Sequence, residues 1–191
     1  MESLSPPEID KKLWDEFRSG IKLSFEKLMK THYRSLFNYG TRFTKDSEFV
    51  KDCLQELFFE LWKTRQSLGS TNYVKSYLFK SVRNKISREL HKNRWHLHAL
   101  QLEDTYYFEV AFSIEHHLIR EETLRDTANK FSELLNKLPR RQKEIIYLRF
   151  YQNLEIPEIV LIMEIKAQSV YNLLNKALTN MRDPMLAKIN Y

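Results

Sequence analysis

Three glycines in 191 residues, at positions 20, 40 and 69, constrain this chain more than any other feature. Sheet proteins turn often, and their tight hairpins draw on glycine for backbone angles that side chains resist. With three glycines and five prolines there is little to build such turns from, so the elements are expected to be helices. The same scarcity leaves no glycine-rich phosphate loop. A single cysteine, Cys53, excludes an internal disulfide and any cysteine-based zinc cluster. No run approaches the ~18 apolar residues of a membrane span. The opening Met1-Glu2-Ser3-Leu4-Ser5 lacks the charged-then-apolar order of a secretory signal. The expectation is a cytoplasmic, all-α protein without membrane insertion.

Apolar spacing divides the chain into helices. Residues 6–19 read as a short one, with Pro6 and Pro7 at its start and Gly20 after its end. Ser24 is the expected N-cap of a second, whose stripe Phe25, Leu28, Met29, His32, Leu36, Tyr39 ends at Gly40. A third starts near Asp46 or Ser47 and repeats apolar pairs every four residues through Leu61 and Trp62. Residues 64–72 read as a loop, and a fourth helix turns Val74, Leu78, Val82, Ile86 and Leu90 inward. After an irregular stretch, helical order returns at Leu124, Ala128, Phe131, Leu135 and Leu138. Pro139 then opens a helix through Phe150, and Asn153 marks a turn. Two last helices, 156–163 and 167–181, are separated by only Glu164-Ile165-Lys166, the spacing of a helix-turn-helix. The reading is two helical domains, 1–95 and 124–191, joined by a linker over 96–123.

Charge is uneven along these pieces. The net is −1 over residues 1–62, +8 over 63–95, −5 over 96–122 and +4 over 123–191. Clustered positive charge suits a polyanion, because neutralising phosphates releases their counterions. In the +8 segment the cations Lys80, Arg83, Lys85 and Arg88 accompany Asn84, and Tyr73, Tyr77, Phe79 and Trp95 are close by. Rings stack on unpaired bases, so this segment fits melted or single-stranded nucleic acid, unless Tyr77 and Phe79 belong to a core. The last helix turns Val170, Leu174, Ala177, Leu178 and Met181 inward and leaves Gln168, Ser169, Asn172, Asn175 and Lys176 outside. Gln and Asn hold adenine in the major groove and Lys reaches guanine or phosphate; the bland counterpart is a hairpin that touches no DNA.

Enzyme chemistry finds little. His116 and His117 are adjacent and point about 100° apart on a helix, although Glu115, Glu121 and Glu122 could complete a metal site. Cys53 lies in an apolar stripe, where cysteine is commonly a small hydrophobe. The polar ridge Asp52, Gln55, Glu56 and Glu60 on the third helix is, from composition alone, the wet side of an amphipathic helix.

Together the segments resemble the extracytoplasmic-function (ECF) group of bacterial sigma factors. The C-terminal resemblance runs from Leu138-Pro139-Arg140-Arg141-Gln142-Lys143-Glu144-Ile145-Ile146-Tyr147-Leu148-Arg149-Phe150 through Glu158-Ile159 and Ile162-Met163 to residues 169–177. The N-terminal one is Asp52-Cys53-Leu54-Gln55-Glu56-Leu57-Phe58, then Leu61-Trp62, Tyr77-Leu78-Phe79 and Arg83-Asn84. It covers roughly residues 22–95 and 124–183. The resemblance implies a dissociable subunit of RNA polymerase, neither an enzyme nor a cofactor binder, with core polymerase and promoter DNA as partners and an anti-sigma factor as a further one. It implies that Asp52, Gln55 and Glu56 face the polymerase, against the bland reading of that ridge. It places Ser70, Thr71, Asn72 and Tyr73 in a loop that captures a flipped base, and Lys80, Arg83, Asn84, Lys85 and Arg88 around the melting point. Lys166, Gln168, Ser169, Tyr171, Asn172, Asn175 and Lys176 would meet the minus-thirty-five element, and the acidic linker would run through the polymerase.

This sequence departs from the family where glycines often stand at Asn153 and Glu164, and where Ser or Thr caps stand at Glu155 and Lys166. Asn accepts a left-handed backbone, whereas Glu pays a steric cost there. The competing function is a helix-turn-helix regulator that binds duplex DNA without polymerase; a metal-dependent hydrolase at 115–122 is a distant third.

Overall fold

The computed structural model describes residues 5–95, 108–109 and 131–186, with side chains through 92 and 182 in the two longer segments. Every regular element among them is helical. The chain divides into two compact units, an N-terminal one of residues 1–106 and a C-terminal one of residues 107–191 less Leu161–Met163, which group with the first.

The N-terminal unit is built from α1 (Pro6–Arg18), α2 (Lys22–Gly40), α3 (Ser47–Thr64) and α4 (Val74–Trp95), with a 3-10 turn at Arg65–Ser67. Helix α1 starts where the prolines indicate: the Ser5 N–H and hydroxyl both donate to Glu8 Oε2, at 2.8 and 2.7 Å. It ends ahead of Gly20, whose φ of +100° a side chain would resist. Asp46 caps α3 by accepting from the Phe49 N–H at 3.0 Å. Ser24, the expected cap of α2, lies inside that helix. Ile21 takes the cap position, and the buried Ser24 hydroxyl donates to Glu16 of α1.

Helix α1 packs against α2 and α4, and α2 against α3 and α4. The core holds Trp14, Phe17, Leu28, Leu36, Tyr39, Val50, Leu54, Leu78, Phe79 and Ile86, each almost fully shielded from solvent. Gly40 is the last residue of α2, where the stripe was expected to end. A β-carbon there would come within 2.6 Å of Val50 Cγ1 and 2.9 Å of Ile86 Cδ1, so its value is space between helices.

The C-terminal unit comprises α5 (131–137), α6 (Arg140–Ile146), a π-helical turn at Tyr147–Tyr151, α7 (Ile156–Met163) and α8 (Ala167–Leu186). The helix expected through Phe150 thus widens into the π turn, and α8 runs past the expected end at Met181. Helix α6 packs against α8, where Asn180 Nδ2 donates to Gln142 Oε1 at 3.0 Å. Arg149 ties the π turn to the start of α7, donating to Leu154 O and Glu155 Oε1, both at 2.9 Å. Phe108 falls in the expected linker yet is buried edge-on against Tyr147, with centroids 6.0 Å apart. Apart from Phe108 and Glu109, the linker lies outside the described residues, as does the His116–Glu122 cluster.

Candidate nucleic-acid interface

Residues 68–73 join the 3-10 turn to α4, and α1 holds them. Trp14 Nε1 donates to Gly69 O at 3.0 Å and Arg18 Nε donates to Leu68 O at 2.6 Å. The Ser70 hydroxyl donates to Asp15 Oδ1 at 2.8 Å, an oxygen that Arg18 Nη1 also reaches at 3.1 Å. Thr71 Oγ1 accepts from the Tyr73 N–H at 3.0 Å, closing a local turn. Ser70 and Thr71 therefore shape the loop, while Asn72 and the 46% exposed Tyr73 face solvent. The sequence reading ranked these four alike and missed Trp14, Asp15 and Arg18, since no local pattern connects α1 to a loop some fifty residues on.

Helix α4 turns Asn84 and Arg88 outward, with Lys80 and Arg83 half-buried beside them. Lys85 was expected to meet DNA, but it is turned into the unit. Its side chain is 5% exposed, and Nζ lies 2.7 Å from Glu56 Oε2 and 2.8 Å from Glu60 Oε1 of α3. The signal was in the spacing: position 85 is three after Val82 and seven after Leu78, inside the buried stripe. Burial alone would push the Lys85 ammonium down, but hydrogen bonds to Glu56 and Glu60 outweigh it and hold the group above the ordinary lysine range. Lys85 is thus a charged clamp between α3 and α4. Two rings proposed for base stacking are also claimed by the core: Phe79 is fully buried 5.0 Å from Tyr39, and half-buried Tyr77 meets the edge of Trp14 at 5.0 Å.

On α3, Asp52, Gln55 and Glu56 are exposed. Phe59 extends their row at the next helical step and is 69% exposed, the largest value among the unit's exposed apolar side chains. The sequence reading missed it; the Gln55-to-Phe59 spacing of four would have shown it. Behind this row Cys53 is buried, and burial pushes its thiol up to about 11, far from a reactive thiolate.

Helix α8 follows the expected division, with Val170, Leu174, Ala177 and Met181 buried. Gln168, Ser169, Tyr171, Asn172, Asn175 and Lys176 are exposed, as is Lys166 before the helix. Gln168 Nε2 donates to Asn172 Oδ1 at 3.1 Å, so the two amides share a face. Leu178 was expected inward but is 47% exposed, because it lies one residue, about 100°, off the buried stripe. The turn before α8 bends at Glu164, whose φ of +55° and ψ of +41° are left-handed; Asn153 is likewise at φ +50°. Glu155 caps α7 in place of Ser or Thr, its N–H donating to Glu158 Oε2 at 2.9 Å.

Among the described residues, no helix is long and apolar enough to cross a membrane, and no group of three His, Cys, Asp or Glu side chains is placed to hold a metal ion. Comparison with known proteins identifies both units. Residues 28–96 match sigma-70 region 2 and residues 128–181 match sigma-70, region 4, together well over half of the chain. RNA polymerase sigma factor NccH of Alcaligenes xylosoxydans xylosoxydans is 25% identical over 171 residues, covering 87% of this chain and 89% of NccH. Two solved structures share the fold. CnrH, in complex with the cytosolic domain of CnrY, has a TM-score of 0.61 at 18% identity over 94% of this chain and 98% of its own. RpoE of Bartonella quintana, with the anti-sigma factor NepR, has a TM-score of 0.59 at 15% identity over 87% and 98%. A duplex-binding regulator that works without polymerase would leave region 2 unexplained. The chain belongs to the sigma-70 family, with regions 2 and 4 in the layout of its ECF group, and directs RNA polymerase to promoters.

Proposed function

We propose that the promoter-directing work of this sigma factor is divided among four surfaces of stated chemistry. The α3 row Asp52, Gln55, Glu56 and Phe59 docks on core polymerase, with Phe59 as the apolar anchor that such interfaces need. Asn72 and Tyr73 take an unpaired base of the minus-ten element by hydrogen bonding and stacking. Lys80, Arg83, Asn84 and Arg88 follow the phosphates around the melting point. On α8, Gln168 and Asn172 read bases of the minus-thirty-five element, while Lys166, Ser169, Tyr171, Asn175 and Lys176 fix the helix on the duplex. The protein does this in the cytoplasm without catalysing a reaction and without a cofactor. The solved relatives held by NepR and by the cytosolic domain of CnrY support an anti-sigma factor as a further partner.

The observation that carries this reading is Phe59. A phenylalanine 69% exposed beside Gln55 and Glu56 leaves most of its ring outside the unit's core. Replacing Gln55 and Phe59 together by alanine is expected to change stability by no more than about 0.5 kcal/mol, because both side chains are on the surface. Affinity for core polymerase, measured by fluorescence titration, should fall at least about tenfold. Wild-type affinity in the folded double variant would remove the α3 row from the interface.

A further inference from the structure

We infer that α1 is the strut that presets the base-capturing loop, with Asp15 and Ser70 as its adjustable pin; the inference rests on the reading that Asn72 and Tyr73 take an unpaired base. Three consecutive loop positions are each tied to α1. Leu68 and Gly69 give their carbonyls to Arg18 Nε and Trp14 Nε1, and Ser70 gives its hydroxyl proton to Asp15 Oδ1. Arg18 also bonds the oxygen that Ser70 uses, so the carboxylate is oriented from its own helix. The strut is itself anchored: Trp14 is 1% and Phe17 0% exposed, and the Trp14 ring meets Tyr77 in the first turn of α4. Both ends of the loop are thereby fixed to one rigid helix.

Position matters because the loop is short, polar and includes Gly69, the one glycine with nothing within 4 Å of an added β-carbon. A side chain at Gly69 would meet only open space, so packing does not fix the path there and the bonds from α1 do. A free loop of this composition samples many conformations, and capturing a base would require ordering it in each binding event. Bonds from α1 remove that ordering before DNA arrives. Asp15 and Ser70 touch no base in this scheme. They are positioning residues, acting through Asn72 and Tyr73.

The test uses the full chain with core polymerase, on a promoter selected by the wild-type holoenzyme from a random library. Asp15→Ala and Ser70→Ala alter exposed or half-exposed side chains and leave the core intact. Each is expected to lower promoter opening, read by permanganate reactivity of thymines, about fivefold, the scale of one hydrogen bond. Core polymerase affinity and closed-complex formation should be unchanged. The double variant should be no worse than either single one, because both remove the same bond. Asp15→Asn keeps an acceptor for the Ser70 hydroxyl and should open promoters nearly as well as the wild type. Asn72→Ala and Tyr73→Ala serve as the reference for the loop. If they impair opening while Asp15→Ala and Ser70→Ala do not, base capture stands and the strut falls. If all four open normally, base capture falls and takes the strut with it. Multiplicative losses in the double variant, or lost polymerase affinity in either single one, would also overturn the strut.

Discussion

The two surfaces proposed to face DNA are supported in opposite ways. The loop and α4 surface of the N-terminal unit is held from a distance, by Trp14, Asp15 and Arg18 on α1 and by Glu56 and Glu60 on α3. The α8 row is held by its own helix: Gln168 bonds Asn172 one turn on, and the backbone alone sets the spacing of Ser169, Asn172 and Lys176. Long-range support lets the loop take a fixed shape without regular hydrogen bonding of its own, and holds the basic helix after it in place. Local support gives a row of side chains that can be exchanged without disturbing the unit. The first surface should be fragile in folding and the second tolerant, changing specificity before stability.

Lys85 offers the largest contrast within one helix. Lys85→Glu would bring a third carboxylate against Glu56 and Glu60, and should destabilise the N-terminal unit by about 3–5 kcal/mol, the usual cost of an uncompensated buried charge. Arg88→Glu, on the exposed side of α4, should leave stability within about 0.5 kcal/mol and instead weaken promoter binding. Urea denaturation and salt-dependent binding of the two variants separate these outcomes. Equal stability of both would mean that the Lys85 clamp is not formed in solution.

On α8 the expected effects concern recognition. Gln168→Ala or Asn172→Ala should remove about 1–3 kcal/mol of discrimination at one or two upstream base pairs. Lys176→Ala should lower affinity for all sequences alike, and none of the three should shift the unfolding midpoint appreciably. Selection from randomised upstream elements distinguishes the patterns, and identical preferences in all variants would show that α8 does not read bases. The smallest effect is expected at the turn ahead of that helix. Glu164 is held at φ +55°, so Glu164→Gly should stabilise the C-terminal unit by about 1 kcal/mol, visible as a higher unfolding midpoint. A lower midpoint would show that the Glu164 side chain contributes more than its backbone strain costs.

Much of the α8 surface was legible because a helix converts sequence spacing into geometry. Residues 168 and 172 had to share a face, and Leu178 was misjudged only by one residue's rotation. Helix α4 was read less well, although the same rule applied. Charge was taken as a mark of exposure at Lys85, whereas its place in the apolar stripe determined the outcome. At Gly40 the helix end was legible, but the close approach to Val50 and Ile86 was not. Phe108 was hidden by the acidic residues around it, since net charge averages over a segment and burial acts on one side chain.

By itself the sequence determined the all-helical class, the two helical regions, the helix-turn-helix and the outward row of α8, because each follows from periodicity, glycine scarcity and backbone geometry within a few turns. Only the tertiary structure decided which cation of α4 is a clamp, which aromatic rings belong to the core, and which loop residues are held and which are offered. Those outcomes depend on side chains some twenty-five to fifty-five positions apart that meet when helices pack, and no local spacing encodes which partner a buried charge or a loop carbonyl will find.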